Sequence, residues 1–224
     1  MTAESTPAFR AVILDLDGTL IDSNWLHLRS WRIALKRLGF EAPDHIIVDR
    51  LGLRTLDIAR DLVSSHGENA VTRLAELKTQ LFEEAWRREV KPRRGALEIL
   101  RMIRAGGLRS AVASSNAAER ILNTLRHFGM EQLVDGVVGI DEVEEGKPNP
   151  ALVTVAMRKL AVGPNQTIYV GDSKYDIEAG RAAGARTALI VQPIAAQSNL
   201  KSRPDYTVRE LPELQWIIWP RGRM

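Results

Sequence analysis

Short apolar runs alternate along this chain with longer segments whose apolar positions recur every three to four residues, the pattern of strands alternating with helices. The first run, Arg10–Asp17, reads Arg-Ala-Val-Ile-Leu-Asp-Leu-Asp. It is too short for a helix and ends in carboxylates, as suits a buried parallel strand. Leu108–Ser114, Thr167–Asp172 and Thr187–Val191 look alike, and Val137–Gly139 predicts a further short strand. Helical periodicity covers Ala96–Ala105, Ala117–His127, Ala151–Leu160 and Asp176–Ala183, several of them followed by glycine where a C-cap is expected. The alternation predicts an α/β fold with a doubly wound, mostly parallel, Rossmann-like sheet.

Residues from about 24 to 89 break the alternation. Trp25–Leu38, Thr55–Ser65 and Ala70–Glu89 all read as amphipathic helices, with no convincing strand among them. They predict an all-helical domain over residues 23–92, inserted into a core of residues 1–22 plus 93–224. Proline and glycine in Lys91-Pro92-Arg93-Arg94-Gly95 mark its end. A chain that crosses twice between core and insert suggests a lid hinged near Ser23 and Pro92. The final stretches, Pro204–Leu211 and Glu213–Trp219, read as an edge strand and a short helix, with Trp216 and Trp219 expected to pack rather than to bind a ligand.

Composition narrows the chemistry. The chain has 224 residues, 45% of them hydrophobic and 26% charged, which is ordinary globular usage. It has no cysteine, which excludes a thiol nucleophile, a disulfide framework and cysteine-ligated metal. A net charge of only +3 argues against a nucleic-acid partner. The basic cluster Arg87, Arg88, Lys91, Arg93 and Arg94 lacks interleaved aromatics and reads as a solvated face near the hinge. No run approaches the ~18 apolar residues that span a membrane, and the first ten residues lack the apolar region of a signal peptide. A cytoplasmic location is therefore expected.

Ligands of open α/β sheets bind beyond the carboxyl ends of the strands, and here those ends carry Asp15, Asp17, Ser114, Asn116 and Asp172. On a strand, residues two apart face one side, so Asp15 and Asp17 can address one point. Two carboxylates that close require either a shared proton or a cation, and Asp172 as a third favours a metal. All-oxygen ligation suits Mg²⁺ beside a substrate phosphate. Hydroxyl and amide donors at Ser114, Ser115 and Asn116, and the ammonium of Lys147 in Gly-Lys-Pro-Asn-Pro, are the groups that phosphate chemistry needs.

Taken together these residues resemble the haloacid dehalogenase superfamily, specifically its phosphatases of the phosphoglycolate phosphatase and β-phosphoglucomutase type, which carry a helical cap after the first strand. Four motifs occur in order: Asp15-Leu16-Asp17-Gly18-Thr19-Leu20, Ser114 after Ala111-Val112-Ala113, Lys147 in Lys-Pro-Asn-Pro, and Gly171-Asp172-Ser173-Lys174-Tyr175-Asp176. The resemblance implies Asp15 as nucleophile, forming an aspartyl-phosphate, and Asp17 as general acid and then base. It implies Mg²⁺ held by Asp15, the Asp17 carbonyl and Asp172, with Asp176 ordering a metal-bound water or Lys147. Ser114 and Lys147 would bind the transferring phosphoryl oxygens, Gly18 would admit the turn, and Thr19 would support the loop and Asp17.

Particular positions discriminate within the family. Asp17 counts against a haloacid dehalogenase. A phosphonatase needs a cap lysine for a Schiff base, and Lys36 and Lys78, the lysines deep in the insert, have no recognisable context for one. A β-phosphoglucomutase remains the main rival, because the cap entrance Asp22-Ser23-Asn24-Trp25-Leu26-His27 resembles one in which a histidine assists the acid/base aspartate. The Gly171-Asp172-Ser173 motif with Asp176 fits phosphoglycolate-type phosphatases better. A non-catalytic binding module is the reading from a different class, disfavoured because every catalytic aspartate is in place. The expected partner is a small phosphorylated metabolite. Arg54, in Gly52-Leu53-Arg54-Thr55, is a candidate to meet a second anionic group on it.

Overall fold

The structure is a computed structural model, and it describes residues 7–192 and 202–220. Six parallel strands form one sheet: β1 (Ala11–Leu14), β2 (Arg109–Ala113), β3 (Gly136–Val138), β4 (Thr167–Gly171), β5 (Arg186–Ile190) and β6 (Tyr206–Val208). Their spatial order is β3-β2-β1-β4-β5-β6. The first strand therefore lies at the centre with β2 on one side and β4 on the other, the switch point at which the connections turn in opposite directions. β1 is completely buried, so its side chains are apolar on both faces rather than alternating.

The sheet is covered by α5 (Ala96–Ala105), α6 (Ala118–His127), α7 (Ala151–Lys159), α8 (Lys174–Ala182) and α9 (Leu214–Ile218). Val12, Leu14, Ile99, Ile103, Val112, Ile121 and Ile190 belong to the cluster on one face, and Ile13, Ala111, Leu152, Val153 and Tyr169 to that on the other. β1 is shorter than the apolar run suggests. The Asp15 amide still donates to the Val170 carbonyl, but the amides of Thr19, Leu20 and Ile21 all turn back onto the Leu16 carbonyl. The turn itself is Gly18–Leu20; Asp15 still pairs with β4, Asp17 forms a bridge with Ile21, and both line one cavity.

Between β1 and α5 lie α1 (Asn24–Arg37), α2 (Asp44–Val48), α3 (Thr55–Val63) and α4 (Glu68–Glu89). The short α2 was not evident in the sequence pattern. These helices have a hydrophobic cluster of their own, built on Trp31, Leu35, Ile47, Ile58, Val63, Val71 and Leu74. On α4 the buried residues Val71, Leu74, Ala75, Lys78, Phe82, Ala85 and Trp86 follow the helical period, with one lysine standing in an otherwise apolar stripe. The two chain crossings run side by side: the Asp22 amide donates to the Lys91 carbonyl and the Arg93 amide to the Leu20 carbonyl.

Two readings of the surface change. Arg87, Arg88, Lys91 and Arg94 are exposed, but Arg93 is half-buried and its Nη1 donates to the Gly18 carbonyl at 2.9 Å. Trp219 packs against the main core, whereas Trp216 is 51% exposed. Among the described residues no helix is long and apolar enough to cross a membrane.

Leu74 is fully buried in the helical cluster. Leu74→Ala is expected to cost about 2–5 kcal/mol through lost burial and the cavity left behind. Urea denaturation would show it as a lower midpoint with an unchanged slope.

Candidate active site

A cavity of about 40 Å³ lies where the carboxyl ends of β1, β2 and β4 face the helical insert. Asp15, Asp17, Ser114, Ser115, Asn116, Lys147 and Asp172 line it from the sheet side, and Asn24, His27, Leu51, Gly52, Leu53, Thr55, Ile58 and Lys78 from the insert. It has room for a few water centres or one small polar group.

Lys147 organises its floor. The buried ammonium donates to Asp15 Oδ1 at 2.7 Å and to Asp176 Oδ1 at 2.6 Å. Asp176 is committed further, accepting from the Tyr169 hydroxyl at 2.9 Å and from the Ser173 amide and hydroxyl at 3.0 and 2.6 Å. The Ser173 bonds cap α8 and fix the Asp176 carboxylate, which in turn fixes Lys147. Gly171 makes this possible, since a Cβ there would lie 2.3 Å from Asp176. Asp172 accepts from Asn24 Nδ2 at 2.6 Å.

Carboxylate oxygens of Asp15, Asp172 and Asp176 lie within 4.8 Å of one another. Burial lifts Asp15 to about 7, with Lys147 pulling down and Asp176 and Asp17 pushing up. Burial, Asp176 and Asp15 raise Asp172 well above the usual carboxylate range. Burial opposes the charge on Lys147 as well, yet its two carboxylate partners raise it well above the usual lysine value. Two of the three carboxylates are thus held toward the protonated form for want of a second cation, and a hard divalent cation fits such an oxygen-only donor set.

Asp17 sits apart from that cluster. Its carboxylate accepts from Ser23 Oγ at 2.6 Å and from Asn116 Nδ2 at 2.5 Å, and His27 Nε2 stands 3.0 Å away. Burial pushes Asp17 up, but His27, Arg120 and Ser23 outweigh it and hold the carboxyl well below its usual range. The expected support from Thr19 is not made: its buried hydroxyl has no hydrogen-bond partner, and Ser23 does the holding. Gly18 makes the turn at φ +72°, and a Cβ there would come within 2.2 Å of Asp172 Oδ2. The Gly18 carbonyl accepts from Arg93 and from Gln192 Nε2, two anchors not singled out from the sequence.

Ser114 Oγ accepts from Asn116 Nδ2 at 3.1 Å, which leaves its own proton available for an anion in the cavity. Ser115 instead spends its hydroxyl proton on the Gly52 carbonyl, at 2.8 Å. With Lys174 Nζ on Asp49 Oδ2 at 2.7 Å and Tyr175 on the Asp49 carbonyl at 3.1 Å, it fastens segment 49–54 over the site. Arg54 does not line the cavity. Its fork is taken by Asp57, at 2.6 and 2.9 Å, and Nη1 reaches the Glu144 carbonyl at 3.3 Å.

The insert brings His27, the histidine of its entrance, to Asp17 and adds a partner that the motifs did not reveal. His27 stacks on Phe82 with ring centroids 4.1 Å apart, and its Nδ1 lies 2.9 Å from Lys78 Nζ. Burial and the neighbouring Lys78 push His27 down to about 4, against the pull of Asp17. The ring is therefore neutral near pH 7, with Nδ1 accepting from Lys78 and its proton on Nε2, toward Asp17. The signal for Lys78 was its place in the apolar stripe of α4.

Residues 12–190 match the profile of the haloacid dehalogenase-like hydrolases. A pyrophosphatase PpaX of Halalkalibacterium halodurans is 28% identical over 95% of this chain and 98% of its own. A phosphorylated carbohydrates phosphatase of Thermotoga maritima is 29% identical over 78% of this chain and 81% of its own. In fold, a β-phosphoglucomutase of Clostridium difficile superposes with a TM-score of 0.79 at 19% identity, over 93% of this chain and 94% of that one. With its profile match running from the first strand to the fifth, the chain belongs to the haloacid dehalogenase-like hydrolases and is a phosphatase of that family.

Proposed function

We propose that the protein is an Mg²⁺-dependent phosphatase of small phosphate monoesters, working through an aspartyl-phosphate on Asp15, with residues 23–92 as its cap domain. The observation that carries this reading is the Asp15–Lys147–Asp176 arrangement. It points a buried carboxylate and a fixed ammonium into one cavity that a second carboxylate, held by other partners, also lines.

In this reading Lys147 and the Ser114 hydroxyl bind the transferring phosphoryl oxygens, and one Asp15 oxygen attacks phosphorus as the ester bond breaks. Asp17 protonates the departing oxygen and later takes a proton from the water that cleaves the aspartyl-phosphate. At rest Asp17 is ionised, and the negative charge of an entering phosphoryl group pushes its carboxyl back up toward the proton-donating form. Asp15, the Asp17 carbonyl and Asp172 would hold Mg²⁺, which supplies charge neutralisation between carboxylate and phosphate. Asp176 positions Lys147, and Asn116 orients both Asp17 and Ser114. Segment 49–54 and the helices behind it exclude water when docked.

Phosphate release from p-nitrophenyl phosphate, phosphoglycolate and β-glucose 1-phosphate tests this. Turnover is expected with Mg²⁺, is lost on chelation and returns when Mg²⁺ is added back; Asp15→Asn lowers it by about 10⁴-fold or more. Formation of glucose 6-phosphate from β-glucose 1-phosphate without phosphate release would replace hydrolysis with a mutase.

Gly18→Ala is expected to lower activity steeply, since the new methyl collides with Asp172 at a backbone angle that alanine disfavours. Circular dichroism should show the fold retained.

Acid stability provides a further check. The neutral His27 has a folded pKa of about 4 against about 6.5 unfolded, so the unfolded chain binds the extra proton between those values. Its contribution to stability is complete above pH 6.5 and lost as pH falls toward 4. Melting temperatures of wild type and His27→Gln measured across that range should show the smaller acid-induced fall in the variant.

A further inference from the structure

Asn24 is a buried polar side chain of the cavity to which the reaction above gives no task. It is the first residue of α1 and belongs to the insert, yet it is 7% exposed, and its Nδ2 donates to Asp172 Oδ2 at 2.6 Å. Among the described residues no other side chain bonds Asp172. The bond lies against the backbone of Gly18, where a Cβ would stand 2.5 Å from that amide nitrogen and 2.2 Å from that carboxylate oxygen. A carboxylate that ligates a cation accepts hydrogen bonds and donates none, so the nitrogen of the amide is the atom that has to face it.

The three clustered carboxylates are held in different ways. Both oxygens of Asp176 are spent, Oδ1 on Lys147 and Tyr169 and Oδ2 on Ser173. Asp15 and Asp172 are then the two with an oxygen to give, and each has its other oxygen tied, Asp15 Oδ1 by Lys147 and Asp172 Oδ2 by Asn24. The tie on Asp172 is an amide, which fixes the carboxylate without neutralising it, whereas a second ammonium would itself supply the charge that an ion brings. Ca²⁺ takes six to eight oxygens in a loose shell and accepts both oxygens of one carboxylate; Mg²⁺ demands short bonds in near-octahedral geometry. Two carboxylates tied at one oxygen, each offering the other, suit the smaller ion.

We infer that Asn24 is the positioning residue of Asp172: its amide keeps Oδ2 engaged, restricts this aspartate to a single ligating oxygen, and so sets a preference of the site for Mg²⁺ over Ca²⁺. This deepens the Mg²⁺ reading above and rests on it. It also makes the entrance helix of the insert part of the metal site, although the residues that would ligate the ion all belong to the loops beyond the sheet.

The test needs no turnover. Melting temperatures of the metal-free protein, followed as MgCl₂ or CaCl₂ is added, give an affinity for each ion. Wild type should bind Mg²⁺ more tightly than Ca²⁺. In Asn24→Ala the Mg²⁺ affinity should fall by about tenfold or more, the usual effect of removing the partner that orients a metal-ligating group. The Ca²⁺ affinity should fall by less, so that the ratio of the two drops. An equal loss for both ions, or unchanged affinities beside a lower melting temperature in chelator, would mean that Asn24 only secures α1, and would overturn the proposal. A raised KM with unchanged affinities would assign Asn24 to the substrate and overturn it as well. If Asn24→Ala does not fold, Asn24→Ser takes its place, and wild type still decides, since a site that prefers Ca²⁺ overturns the proposal. Binding of neither ion by wild type would sink the Mg²⁺ reading together with this one. Mg²⁺ binding as described, without phosphate release from any of the three esters above, would overturn the reading of the substrates and leave the role of Asn24 standing.

Discussion

The site depends on one buried ammonium held between two buried carboxylates. Three buried aspartates at the end of a parallel sheet would repel one another and lose their charge without Lys147. The protein commits Asp176 to holding that lysine, with Tyr169 and Ser173 completing its hydrogen bonds. Asp15 then shares an ammonium that is already fixed, and its carboxylate has a defined orientation before any ligand arrives. The carboxylates that Lys147 does not satisfy, Asp172 above all, are what make an oxygen-ligated divalent cation a natural complement.

The fold delivers these groups from distant parts of the chain. β1 lies between β2 and β4, so residues beyond three strand ends meet at one point although they are far apart in sequence. Two glycines give the carboxylates room to approach the backbone, Gly18 beside Asp172 and Gly171 beside Asp176. Segment 49–54 then closes the site by hydrogen bonds to Ser115, Lys174 and Tyr175, residues that adjoin the catalytic candidates along the chain. Contact with the helical insert is thus built from the same loops that carry the candidate site residues.

The sheet, its flanking helices and the residues Asp15, Asp17, Ser114, Lys147 and Asp172 were all legible in the sequence. Buried strands announce themselves as apolar runs, and the polar residues that end them lie next in the chain. What was not legible is whatever depends on tertiary contact. Thr19 and Ser23 are both hydroxyls near Asp17, and only the path of the turn decides which one reaches it. The pairing of Arg54 with Asp57 follows from their three-residue spacing at the start of α3, so that misplacement was avoidable. Lys78 marked a buried helix face, but periodicity says which face is buried and not what it faces. Trp216, expected to pack, stands half in solvent because the short α9 buries the face that carries Leu214 and Ile218.

The first turn of α1 brings Ser23 and His27 to Asp17 and Asn24 to Asp172. All three side chains start from one helical end whose position is set by the few residues after Gly18. Each residue added to or removed from that connection would rotate the helix by roughly 100° about its axis. It would take the hydroxyl, the amide and the imidazole away together. The length of the link between Asp17 and Ser23 is therefore as much a part of the candidate site as the side chains themselves, and this mostly buried stretch cannot drift in length as other loops can.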